Sequence, residues 1–257
     1  MHAMMRRPSR GFTLVELAVV LAIVGLLLGS LMYTLSAQSE QRSIDETRRR
    51  LDQARELLLG FAIAKGRLPC PATSGSLGDE AATAGVCTAY YGGFLPARAL
   101  GYQQVDASGY AVDAWGNRLR YAVAQLVTGC SGTPANPHFV VAANLKANGL
   151  TCQPNDLLVC KSSTGITGTT CGTAFGTSGE NQVTTADLIV AVVFSTGKNG
   201  AAGGVSADEL ANLNGDRIFV HHTPTTAEAT GGEFDDQLVW LSVGELYGKL
   251  VSAGVLP

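Results

Sequence analysis

The sequence predicts an α+β fold. A long N-terminal helix, half membrane segment and half packed on a globular head, is set against an antiparallel β-sheet with disulfide-closed loops. Three observations predict it. Residues 12–35 form an apolar run with a single charge, Glu16. Residues 36–66 carry apolar side chains at helical spacing. Beyond residue 67 come short runs rich in Val, Ile, Leu, Phe and Tyr, punctuated by Gly, Asn and Pro, together with all six cysteines.

The chain has 257 residues, of which 46% are hydrophobic and only 15% charged. A soluble domain carries about 25% charged residues, so the apolar excess has to be placed, and it is concentrated near the N-terminus. The length suits one domain plus an appendage. A formal net charge of −3 speaks against a protein that wraps nucleic acid electrostatically.

Residues 1–11 contain Arg6, Arg7 and Arg10 and no acid. The 24 residues of 12–35 would span roughly 36 Å as a helix, enough for a hydrocarbon core of about 30 Å. The flanking arginines hold the N-terminal side in the cytoplasm and place everything after residue 35 outside. An ordinary secretory signal is the competing reading. It has a short apolar core followed by a small-residue cleavage site. Here the run is too long, and the charged stretch after Ala37 still reads as helix. Glu16 needs its own account, because a lone carboxylate in lipid costs a few kcal/mol. It either sits at headgroup depth or has a cationic partner, such as a free α-amine at Phe12 if the chain is cut after Gly11. Gly25 and Gly29 are spaced for close helix packing and equally for local loosening of the helix.

The helical pattern continues. Ile44, Leu51, Ala54, Leu58 and Ala62 fall on one stripe, widened by Leu57 and Phe61, with mixed charges on the other faces. Gly66 and Pro69 end it. In the head, strands are expected over residues 118–124, 139–143, 188–194, 217–220 and 237–241, in an antiparallel sheet. A closing helix is expected over 243–253, with Ser242 as its cap.

Cys70, Cys87, Cys130, Cys152, Cys160 and Cys171 all follow the apolar run. An even count in an exported domain reads as disulfides, with 15 full pairings open. The sequence-near set is Cys70–Cys87, Cys130–Cys152 and Cys160–Cys171, each closing a loop with little apolar content. Zinc is disfavoured, since no C-x-x-C occurs. Asn212, Asn214 and Asp216 alternate like calcium-ligand residues, with Asp208, Glu209, Asp235 and Asp236 nearby in sequence. They lack the full EF-hand pattern and equally suit a solvated turn. Catalytic patterns fail one by one. Gly197-Lys198 is not a phosphate loop, because Val192 and Asn199 occupy the places of the first glycine and the Ser/Thr. His221-His222 lies in a turn rather than at i, i+4 on a helix. No G-x-S-x-G is present. No enzyme is expected, and no resident cofactor unless calcium.

Arg10-Gly11-Phe12-Thr13-Leu14-Val15-Glu16-Leu17 resembles the N-terminal signal of type IV prepilins and type II secretion pseudopilins. Two further stretches are similar to segments of major pseudopilins. One is Asp113-Ala114-Trp115-Gly116-Asn117, with Ala114 in place of a proline and Trp115 expected to anchor the turn in the core. The other is Ser195-Thr196-Gly197-Lys198-Asn199-Gly200. Residues 235–240 look like the last strand of many minor pilins. The resemblance implies a pilin-like fold and cleavage between Gly11 and Phe12 by a prepilin peptidase. It implies N-methylation of Phe12, and pairing of Glu16 with the N-terminal amine of a neighbouring subunit. It implies calcium in the loop after the S-x-G-x-x-G stretch. The domains it implies are a leader (1–11), a transmembrane and assembly helix (12–35), its amphipathic continuation (36–66) and a periplasmic head (67–257). The partners would be other pilin subunits, the inner-membrane assembly platform and the inner membrane itself, where the chain is a single-pass protein before it enters a filament. The implied function is that of a structural subunit, pseudopilin or minor pilin, with a tip-located minor pilin that binds a surface or secreted substrate as the alternative. From Arg67 onward, 9 basic and 15 acidic residues leave a net charge of −6, so no nucleic acid is expected as a partner.

Overall fold

The computed structural model describes residues 13–83, 85–130, 137–172 and 180–256; the side chains of residues 30–37 lie outside that description. The chain divides into two compact units, one ending at Ser43 and one beginning at Ile44. Helix α1, Leu14–Lys65, runs through both. It holds no proline, and it continues unbroken through Gly25 and Gly29.

In the first unit every side chain of residues 14–29 is exposed, up to 86% at Leu14. Among the described residues, no helix is long and apolar enough to cross a membrane. The part of the run with described side chains is residues 14–29, 16 positions of which Glu16 is charged, against the roughly 20 that a span requires. Phe12 and the side chains of residues 30–35, the remainder of the expected segment, lie outside the description.

In the second unit the apolar stripe of α1 is buried. Leu51, Ala54, Leu58 and Ala62 are each at most 1% exposed and belong to the main core, together with Leu59. Ile44 is only half-buried. Polar ties flank the stripe. Arg50 Nη1 donates to the carbonyls of Val112 and Asp113, the Thr47 hydroxyl accepts from Ala114 N, and Arg55 pairs with Glu245 at 2.6 Å. The helix ends where expected, with Gly66 at φ +69° donating to Ala62 O, as a left-handed residue after a helix does.

After α1 come β1 (Ala82–Thr83), β2 (Val86–Cys87), β3 (Gly93–Phe94), α2 (Ala97–Leu100), β4 (Arg120–Val123), β5 (Val127–Thr128), α3 (Ala142–Asn148), β6 (Gln153–Pro154), β7 (Leu158–Cys160), β8 (Ile189–Ser195), α4 (Ala207–Leu213), β9 (Ile218–Val220), β10 (Gln237–Ser242) and α5 (Val243–Ser252). The main sheet has the order β10-β8-β4-β3, and all its pairs are antiparallel. Strand β8 lies inside it, with all seven residues buried. That explains its unbroken apolar run, because a strand covered on both faces has no polar side to alternate with. Helix α5 is capped by Ser242, whose Oγ accepts from Glu245 N at 3.2 Å, and it buries Leu246, Tyr247 and Leu250.

The α+β class stands, with an N-terminal helix, an antiparallel sheet and three disulfides. The bonds join Cys70–Cys87, Cys130–Cys152 and Cys160–Cys171, and no cysteine is free.

Two strand expectations need correction. Residues 139–143 form a turn that leads into α3, with Val141 N donating to His138 O. Phe139, Val140 and Leu145 are all buried there. A short apolar run serves a buried turn and helix as well as a strand, and periodicity cannot separate them. Strand β9 stands outside the main sheet and pairs parallel with β7, Leu158 opposite Ile218.

Candidate functional site

Two places in the chain carry the residues that the sequence singles out. Of the first, Gly11 and Phe12 lie outside the described residues. Glu16 lies in the opening turn of α1. Thr13 N and Thr13 Oγ1 donate to Glu16 Oε2 at 2.9 and 3.0 Å, and Glu16 N donates back to Thr13 Oγ1 at 3.3 Å. This is a reciprocal capping box, in which two of the helix's orphan N–H groups are satisfied. Thr-x-x-Glu is legible in the sequence, so Glu16 is a capping residue as well as a charge. The box holds its carboxylate on the amide that follows Phe12, at the positive end of the helix dipole.

The second place is in the head, where the two motif loops meet an acidic cluster. Asp113 is 1% exposed. Its Oδ1 accepts from the backbone N–H groups of Trp115 and Asn117, and its Oδ2 accepts from Ser195 Oγ at 2.6 Å. Trp115 is only half-buried. The expected aromatic anchor of this turn is therefore a buried carboxylate, because only an acceptor can gather N–H groups that the turn leaves unpaired. Burial raises the Asp113 pKa, against these hydrogen bonds. Asn117 Nδ2 reaches across to Gly197 O at 2.6 Å.

Gly197 sits at φ +63°, and a Cβ there would overlap the Asp235 carboxylate, so both conformation and space demand glycine. Asp235 Oδ2 accepts from Lys198 N and Asn199 N. Glu209, 1% exposed, forms a capping box with Ser206 at the start of α4. It also accepts from Asn199 Nδ2 and Val205 N. Carboxylate oxygens of Glu209, Asp235 and Asp236 all lie within 4.8 Å of one another.

This crowding has an electrostatic signature. Burial first, then the charges of Glu209 and Asp235, raises Asp236 to about 7 against the hydrogen bond from Asn212. Burial first, then Glu209 and Glu233, raises Asp235 to about 6 against the N–H groups of Lys198 and Asn199. Asp235 Oδ1 is buried without a hydrogen-bond partner. Hard oxygen donors with excess negative charge and one uncommitted atom suit a divalent cation of the calcium type.

The residues that the sequence nominated for calcium are placed differently. Asn212 is buried, its amide donating to Val220 O and Asp236 Oδ2 and accepting from Val220 N. Asn214 and Asp216 bond each other at the surface. The three do not share one shell. Asp235 and Asp236 lie 26 and 27 positions beyond Glu209, and the fold brings their carboxylates together with its own. His222 faces Asp208 at 3.1 Å, whereas His221 meets the Trp240 ring.

Residues 6–32 match the prokaryotic N-terminal methylation motif, which identifies a type IV pilin- or pseudopilin-type prepilin signal at this end of the chain. No curated protein and no solved structure matches the chain.

Proposed function

We propose that this chain, a pilin- or pseudopilin-type protein by its prepilin signal, is a structural subunit of a bacterial type IV pilus or type II secretion pseudopilus. The observation that carries the reading is the methylation motif over residues 6–32, with Glu16 at the head of a continuous 52-residue helix. The matched motif belongs to structural rather than catalytic proteins. In this reading a prepilin peptidase removes residues 1–11 and Phe12 is N-methylated. Residues 12–35 then form the single-pass inner-membrane and assembly helix, 36–66 its continuation on the head, and 67–257 the periplasmic head. Cleavage after Gly11 creates a cationic amine at Phe12, and Glu16 of an adjoining subunit neutralises it in lipid, where an isolated charge is costly. The inner-membrane assembly platform and other pilin subunits are the partners.

Mass spectrometry of the mature N-terminus tests this reading. It is expected to show methylated Phe12; an intact leader or a start near Gln38 overturns the assignment.

Calcium belongs to this proposal as well, with Glu209, Asp235 and Asp236 supplying the oxygens. Bound there, the ion neutralises the cluster and ties α4 to the loop before β10. A second reading makes the protein a tip-located minor pilin whose head binds a surface or secreted substrate. It is favoured by the edge of the main sheet at β10, beside which no strand lies among the described residues.

A further inference from the structure

Strand β10 is the edge of its sheet. In an antiparallel pair, alternate residues turn their backbone groups to opposite sides of the strand. Ala124 N donates to Val190 O, so Val190, Val192 and Phe194 serve β4. Ala191, Val193 and Ser195 then serve β10, through their partners Leu241, Val239 and Gln237. The N–H and C=O groups of Leu238 and Trp240 therefore point away from the sheet, and no strand lies beside them among the described residues.

A groove follows that edge in two adjoining parts, of about 330 and 230 Å³. Leu238, Val239 and Trp240 line the larger part, and Gln237, Leu238 and Val239 the smaller. Successive strand residues point to opposite faces, so a hollow touching three in a row runs along the backbone edge. The groove is also lined by Arg48, Leu51 and Arg55 of α1, by His221 in both parts, by Glu245, whose charge is taken up by Arg55, and by Asp236. The His221 and Trp240 rings meet edge to face at 6.1 Å.

Arg48 is exposed at the rim and makes no ion pair with another described residue.

We propose that this groove receives an extended, carboxylate-bearing peptide segment of a partner protein, added as a strand against β10 and anchored at Arg48. The main-chain groups of Leu238 and Trp240 supply affinity independent of sequence, as in other strand-addition modes. Arg48, exposed at the rim, selects the acid. The inference deepens the second reading of function, but it concerns the head alone and holds whether or not the chain enters a filament.

The test uses the full chain in detergent micelles with a capped six-residue peptide of alternating valine and threonine containing one glutamate. Amide exchange of residues 237–242 is followed by mass spectrometry, and affinity by peptide fluorescence anisotropy. The peptide is expected to slow exchange at Leu238 and Trp240. N-methylation of alternate peptide amides is expected to abolish binding. Replacing the peptide glutamate by glutamine, or Arg48→Ala in the protein, is expected to weaken binding about fivefold, the upper range for an exposed ion pair. Absence of protection at millimolar peptide overturns the proposal, as does undiminished binding of the N-methylated peptide. Protection that rises with protein concentration alone assigns the edge to a second copy and also overturns it. Each of these results leaves processing at Gly11 untouched, so failure here is distinct from failure of the filament reading.

Discussion

Ser195 Oγ donates to Asp113 Oδ2 at 2.6 Å across 82 positions of sequence. This one bond joins the end of β8 to the turn before β4, and the same hydroxyl accepts from Gly197 N at 3.1 Å. The turn on which α1 rests through Arg50 and Thr47 is thereby tied to the loop that supports the acidic cluster.

Removing this bond should loosen both loops. Asp113→Ala strands two N–H groups and a buried hydroxyl, and should destabilise the protein by about 2–4 kcal/mol. Ser195→Ala should cost about 1–2 kcal/mol. Denaturant melts of the two single variants and the double variant are the measurement. Strong non-additivity is expected, because the residues share one interaction.

Glu16 carries two separable roles, cap and charge. Gln serves a capping box as well as Glu does but cannot neutralise an amine. Glu16→Gln should therefore insert and be processed normally, while its recovery in filaments falls at least about tenfold, equivalent to about 1.4 kcal/mol of lost pairing. Comparing membrane-fraction and sheared-filament blots measures this. Normal filament recovery would leave Glu16 a capping residue only.

Stability should fall at both ends of the pH range, for opposite reasons. Asp236 is raised to about 7 in the folded protein. Its contribution is complete below the unfolded value near 3.8 and is lost as pH rises through about 7. His138 is fully buried and lowered by that burial to about 4; its contribution is complete above about 6.5 and is lost as pH falls through about 4. In chelator at pH 8, Asp236→Asn should raise stability by about 2–4 kcal/mol, with little change at pH 4. Adding calcium at pH 8 should raise the Tm of the unmodified protein and raise that of the variant less. Thermal melts at the two pH values, with and without calcium, decide it.

The helix should be needed by the head. A chain beginning at Gln38 keeps Leu51, Ala54, Leu58 and Ala62, and should be soluble, monomeric and cooperatively folded when oxidised. A chain beginning at Arg67 exposes the face that they cover, losing several kcal/mol of burial at about 25 cal/mol per Å², and should aggregate. Size-exclusion chromatography of the two should give opposite results; equal solubility would mean that the stripe contributes little.

Local signals made much of this architecture readable before any coordinates. The stripe from Leu51 to Ala62, the glycine that ends α1, the Ser242 cap and the apolar run of β8 each rest on spacing or on one residue's conformational preference. What escaped was set by distance. The parallel pairing of β7 with β9 joins residues 60 positions apart, and no pattern in either run announces it. The buried turn at 139–143 reads as a strand because it is short and apolar. The acidic cluster is half legible: its residues are neighbours in sequence, but alternation favours Asn212, whose amide the fold turns inward to Val220 and Asp236. Asp113 was visible as a turn residue, though its role as the buried hub depends on Ser195.

The three disulfides have a consequence for export. Each joins a cysteine to the next one along the chain, with separations of 17, 22 and 11 residues, and no loop encloses or overlaps another. If the head is exported as the filament reading has it, with the N-terminal side held inside and the residues after the anchor emerging first, an oxidant would meet each correct pair before the following cysteine appeared. Simple sequential oxidation therefore yields the native set, and the head can mature without an isomerase to reshuffle its bonds.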